Sequence, residues 1–591
     1  MDPTHPSPFL QRDWTSLDGR WACTIDPDGV HRTPHDPPFA DAITVPFAPE
    51  TPASGIGTTD AVETIWYRRR LGLDAPGPGE RLLVHFGGVD RIADVWIDGQ
   101  HVGHHVGGYA PFSVDVTDHV HPDAQLVVRV VDDAHDLEVP RGKQEWGETP
   151  HSVWYPRTTG IWKTVWAERV PETRIAAIDW HGEPAAMTVS VRVRIEGPLP
   201  HGLRLRIRLQ HRERVLVDDD LAVTGRTVER TMAVGDGGFD DRIQLLWWPT
   251  RPNLFDAQLV LHADDGLLDE VASYTALRSV DVDDGRFRIN GRPYRLRLVL
   301  DQGYWPDTGA TPPDVDALRR DVELTKALGF NGARKHQKTE DPRYFALADQ
   351  LGLLTWVEMP SAYRPGPRTA ANLLGEWAAV VDAHRNHPSV VAWVPINESW
   401  GVPDCANDPN QRALIEALAA MTDALDGTRP VSANDGWETV GGGIVGVHDY
   451  DQDPAALTAR WGDADAVDAV LTGRRPDGLT SDLDQVPAGR RAVVLSEFGG
   501  IALDDDATAG AIFGSANWGY DAATSPDDLL RRYREQWAVV HASTALSGVC
   551  WTQLTDAYQE VNGLLRADRT PKADLAAFAS ATRGRPAPAT S

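Results

Sequence analysis

At 591 residues, with 41% hydrophobic side chains and 21 tryptophans, the chain is too long for one core and too apolar to be disordered, so three or four folded units are expected. A formal charge of −29 argues against nucleic acid and anionic membrane surfaces as partners, because both need basic patches. Cys23, Cys405 and Cys550 are too few and too scattered for a disulfide framework or a structural zinc site, and no run approaches the ~20 apolar residues of a membrane span. The start, Met1-Asp2-Pro3-Thr4-His5-Pro6, carries neither a basic nor an apolar leader region, and a cytoplasmic location is read from it.

Residues 1–170 read as all-β. Arg81–Phe86 and Ala93–Ile97 alternate apolar and polar side chains, Asp98-Gly99 marks a hairpin turn, and Leu126–Val131 is a further strand. Gly160–Glu168 is expected as one strand, alternating through Trp162, Thr164 and Trp166. A β-sandwich accounts for this pattern. Residues 171–280 are again strand-rich. In Leu203–Leu209 the arginines 204, 206 and 208 form one face, read as the solvated outer side of a strand in a small immunoglobulin-like sandwich.

From 281 to 591 strands alternate with helices. Expected strands are Tyr294–Leu300, Asn331–His336, Leu353–Glu358, Val390–Glu398, Pro430–Asn434, Ile444–His448, Val493–Glu497 and Leu546–Thr552. Helices are expected from Asp314, over Tyr344–Gln350, Leu373–Ala383 and Gln411–Leu425, and after Ser525-Pro526. Eight such units predict a (β/α)8 TIM barrel, with the Gly/Asp/Pro-rich span 454–490 as an excursion or lid.

Barrel active sites lie at the C-terminal strand ends. Those ends hold Arg334, His336, Trp356, Glu358, Asn397, Glu398, Asn434, His448, Asp449, Tyr450, Glu497 and Trp551, with Trp400 just beyond the fourth. Glu398 and Glu497 close the fourth and seventh strands, on opposite sides of the mouth. Two carboxylates across a cleft suit glycoside hydrolysis, and aromatic faces suit sugar rings. Trp356, Trp400, Trp437 and Trp518 are each either a subsite wall or core. Arg141, Lys143, Gln144 and Trp146 form a polar loop that either reaches the cleft or lies on the surface.

Several motifs together resemble glycoside hydrolase family 2, which includes many β-galactosidases, β-glucuronidases and β-mannosidases. They are Gly87–Gln100, Gly107–Phe112 and Gly160-Ile161-Trp162 in the first domain, Phe287–Pro293 at the barrel entry, Pro395-Ile396-Asn397-Glu398-Ser399-Trp400 and Leu495-Ser496-Glu497-Phe498-Gly499. The resemblance spans nearly the whole chain and implies an N-terminal jelly roll, an immunoglobulin-like sandwich and a catalytic barrel. It implies that Glu398 is the general acid/base and Glu497 the nucleophile of a retaining double displacement, with carboxyls ~5–5.5 Å apart.

Glu398 is then expected to have its pKa raised by its apolar approach and by Glu497. The resemblance assigns Asn397 to the sugar hydroxyl beside the anomeric carbon, Arg334 and Tyr450 to holding Glu497, and Trp551 to a platform under the ring. His336, Trp356, His448, Asp449 and Trp400 complete the expected sugar contacts. The chemistry needs no metal or organic cofactor. The partner is an oligosaccharide or glycoside, and a homodimer or homotetramer is compatible with the family.

Where β-glucuronidases carry an Asn-x-Lys pair that grips the uronic carboxylate, this chain reads Glu560-Val561-Asn562-Gly563, an acid with no lysine. A neutral, galactose-configured terminal sugar is therefore expected. The strand-two end Arg334-Lys335-His336-Gln337-Lys338 departs from the family's Arg-x-x-His and keeps a β-D-galactofuranoside or α-L-arabinofuranoside as the alternative. A non-catalytic carbohydrate-binding protein is the alternative of another class.

Overall fold

The computed structural model describes residues 2–264, 266–474, 480–484, 486, 489–503 and 517–584. The first sandwich pairs a four-stranded sheet (Trp14–Ser16, Val165–Pro171, Glu80–Phe86, Phe112–Asp115) with a six-stranded one (Asp41–Val45, Gly19–Ile25, Thr64–Arg70, Gln125–Val131, Ile92–Ile97, Gln100–Val106). Alternation does the work: Leu82, Val84 and Phe86 face Ala93, Val95 and Ile97 in one core, and their neighbours face outward. Asp98 and Gly99 both take positive φ at the hairpin, as that turn requires.

The second sandwich has sheets of three (Arg174–Glu183, Thr188–Glu196, Thr227–Ala233) and four strands (Arg214–Ala222, Arg204–His211, Phe255–Ala263, Gly266–Thr275). Its basic outer face is matched by acids on the adjacent strand, Arg204 with Asp220 at 2.9 Å and Arg206 with Asp218 at 2.7 Å. The chain's first dozen residues pack on this second sandwich. Phe9 stacks on Tyr274, Gln11 bridges Ala272, and Arg12 pairs with Asp269 at 2.7 Å.

The barrel's seven parallel strands run in the order Val390–Val394, Leu354–Glu358, Gly332–Lys335, Leu296–Asp301, Gly548–Thr552, Ala492–Gly499, Ile444–His448. Nearly every residue in them is buried, as an all-parallel sheet wrapped by helices demands. The helix Val315–Ala327 starts on the Asp314 cap, and Pro526–Ala542 on Ser525, whose hydroxyl accepts from the Asp528 amide. Among the described residues no helix is long and apolar enough to cross a membrane.

Three expectations need correction. The stretch 160–168 is two strands, Gly160–Ile161 and Val165–Pro171. Between them the amides of Trp162 and Lys163 turn to the Gly88 carbonyl, and the Trp162 indole donates to Gly108 O at 2.8 Å.

Pro430–Asn434 is not a regular strand. It closes the barrel through the bridges Trp393↔Val431 and Asn397↔Asp435 and through the Ile444 amide on Val431 O. Pro430 has no amide to donate, and short polar side chains bond locally instead: Ser432 Oγ to Asp435 at 2.8 Å, Asn434 Nδ2 to Ser399 Oγ at 2.8 Å.

In the span 454–490, helices Pro454–Trp461 and Ala464–Thr472 bury Leu457, Trp461, Val467 and Leu471 in the main core, so they are barrel packing and not a lid. Residues 475–479, 485, 487 and 488 lie outside the described residues.

Candidate active site

The fourth strand delivers Asn397 and Glu398 to the barrel mouth through an unusual turn. Glu398 and Ser399 have φ of +50° and +55°, a left-handed pair that only surrounding contacts sustain. Those contacts are the Glu398 amide on Asp435 O at 2.9 Å and the Ser399 amide on Asn434 Oδ1 at 3.0 Å. The irregular fifth strand thus shapes the end of the fourth. Glu497 comes from the seventh strand, with its side chain 5% exposed.

Beneath both glutamates lies Arg334, with no solvent exposure. Its Nε donates to Glu358 Oε2 at 2.7 Å, Nη1 lies 2.9 Å from Glu497 Oε1 and 3.0 Å from Asp435 Oδ2, and Nη2 donates to Asn397 Oδ1 at 2.7 Å. With its oxygen so held, Asn397 keeps a buried Nδ2 that has no partner among the described residues. His448 contacts three acids: Nδ1 to Glu398 Oε1 at 2.7 Å, Nε2 to Asp435 Oδ2 at 3.0 Å and to Glu497 Oε1 at 3.3 Å. The Tyr450 hydroxyl donates to Glu497 Oε2, and His336 Nδ1 lies 3.0 Å from Glu358 Oε1.

The electrostatics follow from these contacts. Burial opposes charge on His448, but Glu497, Asp435 and Glu398 outweigh it and raise its pKa to about 10. Burial likewise opposes charge on Glu497, yet His448, Arg334 and His336, with the Tyr450 hydrogen bond, hold its carboxyl below the usual range. Glu358, buried against Arg334 and His336, is pulled down to about 2, and Asp435 lies lower still. Glu398 is the less enclosed glutamate, its side chain 15% exposed, and its carboxylate faces His448 and not the apolar run behind it.

Donor atoms of Glu398, His448 and Glu497 lie within 4.8 Å of one another. A cation there would have to strip the proton from His448 and compete with Arg334 for Glu497, so this donor set suits an imidazolium better than a metal.

The pocket over this network is walled by Gln302, His336, Trp400, Tyr450, Tyr520, Thr552 and Glu560 of the barrel and by Lys143 and Val153 of the first sandwich. Trp400 continues into an aromatic group with Tyr363 at 5.2 Å and Trp154 at 6.1 Å, and Trp146 packs on both of these. Of the polar loop, Lys143 is the residue that reaches the pocket. Arg141 donates to the carbonyls of Ala134 and Asp136, and Gln144 to Asp90. Lys143 Nζ lies 3.6 Å from Glu560 Oε2, which also accepts from the Tyr155 hydroxyl.

Of the expected sugar contacts, Arg334, Asn397, His336, His448, Tyr450 and Trp400 gather around the two glutamates, and three do not. Trp356 is fully buried among Leu298, Leu354, Ala392 and Val394 inside the barrel. Trp551 faces the opposite way, into the helix layer against Tyr533 and Phe498, while its neighbours Cys550 and Thr552 point inward. Asp449 turns to the helix Pro454–Trp461, where it pairs with Arg460 at 2.7 Å and accepts from the Trp461 indole. Asp449 and Trp551 lie one residue out of the inward parity, whereas Trp356 shares the inward face of Glu358 and Arg334 but sits a layer deeper in the barrel.

Asp435, Tyr155 and Tyr520 belong to the site as well, beyond the residues expected there. Asp435 comes one residue after the expected strand Pro430–Asn434, and Tyr155 reaches the site through a contact 405 residues apart. Glu560 was visible in the sequence as a departure, without the lysine that pairs with it.

Comparison with known proteins matches the three domains to one family. The family model described as "Glycosyl hydrolases family 2, TIM barrel domain" matches residues 280–447. The "sugar binding domain" model of that family matches 34–146, and its central "Glycosyl hydrolases family 2" model matches 173–278. Similar sequences include a β-galactosidase of Thermoanaerobacter pseudethanolicus, 28% identical over 59% of this chain and 46% of its own length. A putative β-glucuronidase of Formosa agariphila is 25% identical over 61% and 42%. The chain spans about half the length of such relatives. Among solved structures, a Faecalibacterium prausnitzii β-glucuronidase superposes with a TM-score of 0.75 at 21% identity, covering 98% of this chain and 99% of the other. A β-galacturonidase of Eisenbergiella tayi superposes with 0.72 at 18% identity, covering 97% of each. At those identities the likeness shows the fold.

Proposed function

The chain belongs to glycoside hydrolase family 2, and from that premise we propose that it is a retaining exo-glycosidase acting on a neutral terminal sugar. The observation that carries this reading is the pairing of Glu398 and Glu497, with oxygens within 4.8 Å of each other across the mouth. That spacing accords with a nucleophile–acid pair and leaves little room for the interposed water of an inverting pair, whose carboxyls stand ~6.5–9.5 Å apart.

In the proposed mechanism Glu497 attacks the anomeric carbon. Arg334, His448 and Tyr450 keep it ionised and aim its free electron pairs. Glu398, the more open of the two, protonates the leaving oxygen and then takes a proton from water once the glycosyl-enzyme has consumed the charge on Glu497. The unpaired Asn397 Nδ2 is available to the hydroxyl next to the anomeric carbon.

The neutral-sugar reading rests on the far wall. There Glu560 has its charge taken up by Lys143 and its oxygens engaged by Tyr155 and Asn562. A uronic carboxylate would meet a carboxylate already paired, and would have to break that pair to claim the lysine. Sugar hydroxyls fit both: Lys143 donates and Glu560 accepts. Galactose configuration is our first choice.

The strand-two end supports the furanoside alternative. Gln337 sits at φ +52° and, with its amide and side chain, grips Glu358 Oε1 at 3.0 and 2.8 Å, which gives the pocket floor a shape of its own. A panel of chromogenic galactopyranoside, galactofuranoside, arabinofuranoside and glucuronide substrates decides. We expect hydrolysis of one neutral member and none of the glucuronide, whereas no hydrolysis of any glycoside would leave a carbohydrate-binding protein. Glu497→Gln is expected to abolish turnover, and azide to rescue Glu497→Ala with an inverted glycosyl azide as product.

A further inference from the structure

One wall of the catalytic pocket continues outward as aromatic rings that the mechanism above does not use. Trp400, two residues past Glu398, lines the pocket together with Val153. Its ring centroid lies 5.2 Å from that of Tyr363 and 6.1 Å from that of Trp154. Trp146 stands 4.7 Å from Tyr363 and 5.0 Å from Trp154. Two domains supply the rings. Trp146 and Trp154 follow Lys143 in the first sandwich, and Tyr363 and Trp400 follow the third and fourth barrel strands. Trp162, which does join these domains through its carbonyl on the Thr311 hydroxyl, is 1% exposed, whereas all four of these rings are only half-buried. A contiguous apolar surface left open beside a reactive pocket marks a binding surface.

The wall is preformed and offers ring faces. Trp154 Nε1 donates to the Tyr363 hydroxyl at 2.7 Å, and that hydroxyl donates to Gly142 O at 2.6 Å. Gln559 of the barrel fixes the loop from the first sandwich by donating to the carbonyls of Ser152 and Trp154 at 3.0 and 2.8 Å. The charged neighbours are matched as well. Glu145 pairs with His151 and accepts from the amides of Trp146 and Gly147, and Arg157 donates to the carbonyls of Glu145 and Gly147. Lys143 Nζ, 5.9 Å from the centroid of the Trp400 ring, marks where the polar side of the pocket gives way to the aromatic one.

Position decides what such a wall meets. Glu398 gives its proton to the leaving oxygen, so the leaving group lies on its side of the sugar, and the rings extend outward from that side. Tyr363 is near enough that the charge of Glu398 adds to burial in raising its hydroxyl above the ordinary range. We propose that Trp146, Trp154, Tyr363 and Trp400 form a leaving-group site that selects glycosides of planar aromatic alcohols by stacking. A second sugar would bring hydroxyls to a surface whose polar groups are already paired, whereas an aryl ring brings only faces and edges. This inference rests on the glycosidase reading and deepens it by naming the group on the far side of the bond.

The test compares 2-naphthylmethyl and methyl glycosides of whichever sugar the chain hydrolyses, in the parent and in Trp154→Ala. Each kcat/KM is taken as a variant-to-parent ratio, so the intrinsic reactivity of the leaving group cancels. Expected is a fall of about tenfold or more for the naphthylmethyl glycoside and of less than about threefold for the methyl one, with Trp154→Phe in between. Should Trp154→Ala fold poorly, Trp146→Ala carries the same expectation. Saturation-transfer NMR with 2-naphthylmethanol, which has no sugar and needs no turnover, is expected to show saturable binding that both alanine variants weaken. Equal losses for the two glycosides, a larger loss for a disaccharide of the same terminal sugar, or naphthylmethanol binding that neither variant changes overturns the proposal and leaves the glycosidase standing. Naphthylmethanol bound at these rings with no glycoside hydrolysed overturns the glycosidase reading and keeps the aryl site.

Discussion

At Arg334 one guanidinium with no solvent exposure serves Glu358, Glu497, Asp435 and Asn397 at once, a set of partners that a lysine's single ammonium cannot reach together. Arg334→Met leaves three buried carboxylates short of their cation. We expect a loss of about 3–5 kcal/mol in stability by denaturant titration, together with loss of turnover. Arg334→Lys is expected to recover part of the stability and little of the rate.

His448 carries the second positive charge. Its pKa of about 10 in the folded chain lies above its ordinary 6.5, so its contribution to stability is fully present below pH 6.5 and is lost as pH rises through 10. Melting curves of the parent chain and His448→Gln should therefore converge between those pH values, and a gap that stays constant would contradict a charged His448. Both residues were legible as strand-end polar groups. Their partner Asp435 was not, because the expected fifth strand Pro430–Asn434 stops one residue short of it.

At the scale of elements, barrel strands such as Ile444–His448 and Leu354–Glu358 were legible to within a residue or two, whereas the fourth, expected to run to Glu398, ends as a regular strand at Val394. Reading faces was harder. Trp551 was assigned to the mouth and lies in the helix layer, a one-residue parity that apolar runs do not encode because both sides are apolar. The fifth strand was read at Pro430–Asn434 but is irregular, holding its place by side-chain hydrogen bonds and close packing in place of a backbone ladder. Gly446 on the sixth strand shows how close: a Cβ built there would lie 1.8 Å from Asp435 Oδ1. Gly446→Ala is accordingly expected to push Asp435 away from Arg334 and His448 and to lower kcat by at least about tenfold. Gly375→Ala, in an α-helix at a position where an added Cβ meets nothing within 4 Å, should leave kcat unchanged.

The whole molecule completes the pocket. Lys143 arrives from the first sandwich to meet Glu560 near the end of the barrel, and Tyr155 joins them across 405 residues of chain. Contacts of that range leave no periodic trace in a sequence, which is why the loop around Lys143 could be read either as surface or as cleft. Lys143→Met would leave Glu560 buried without its cation. We expect a fall in kcat/KM of about tenfold or more with a smaller effect on the melting temperature, separating a substrate-facing role from a purely structural one.

The central claim is that Glu497 becomes covalently glycosylated while Glu398 handles the protons. It is tested most directly by incubating the chain with a 2-deoxy-2-fluoro glycoside of whichever sugar it hydrolyses, which slows breakdown of the intermediate, and locating the added mass by peptide mass spectrometry. The account predicts one sugar per chain, on the peptide containing Glu497. A label on any other residue, or turnover with no covalent species and an inverted product, would contradict it.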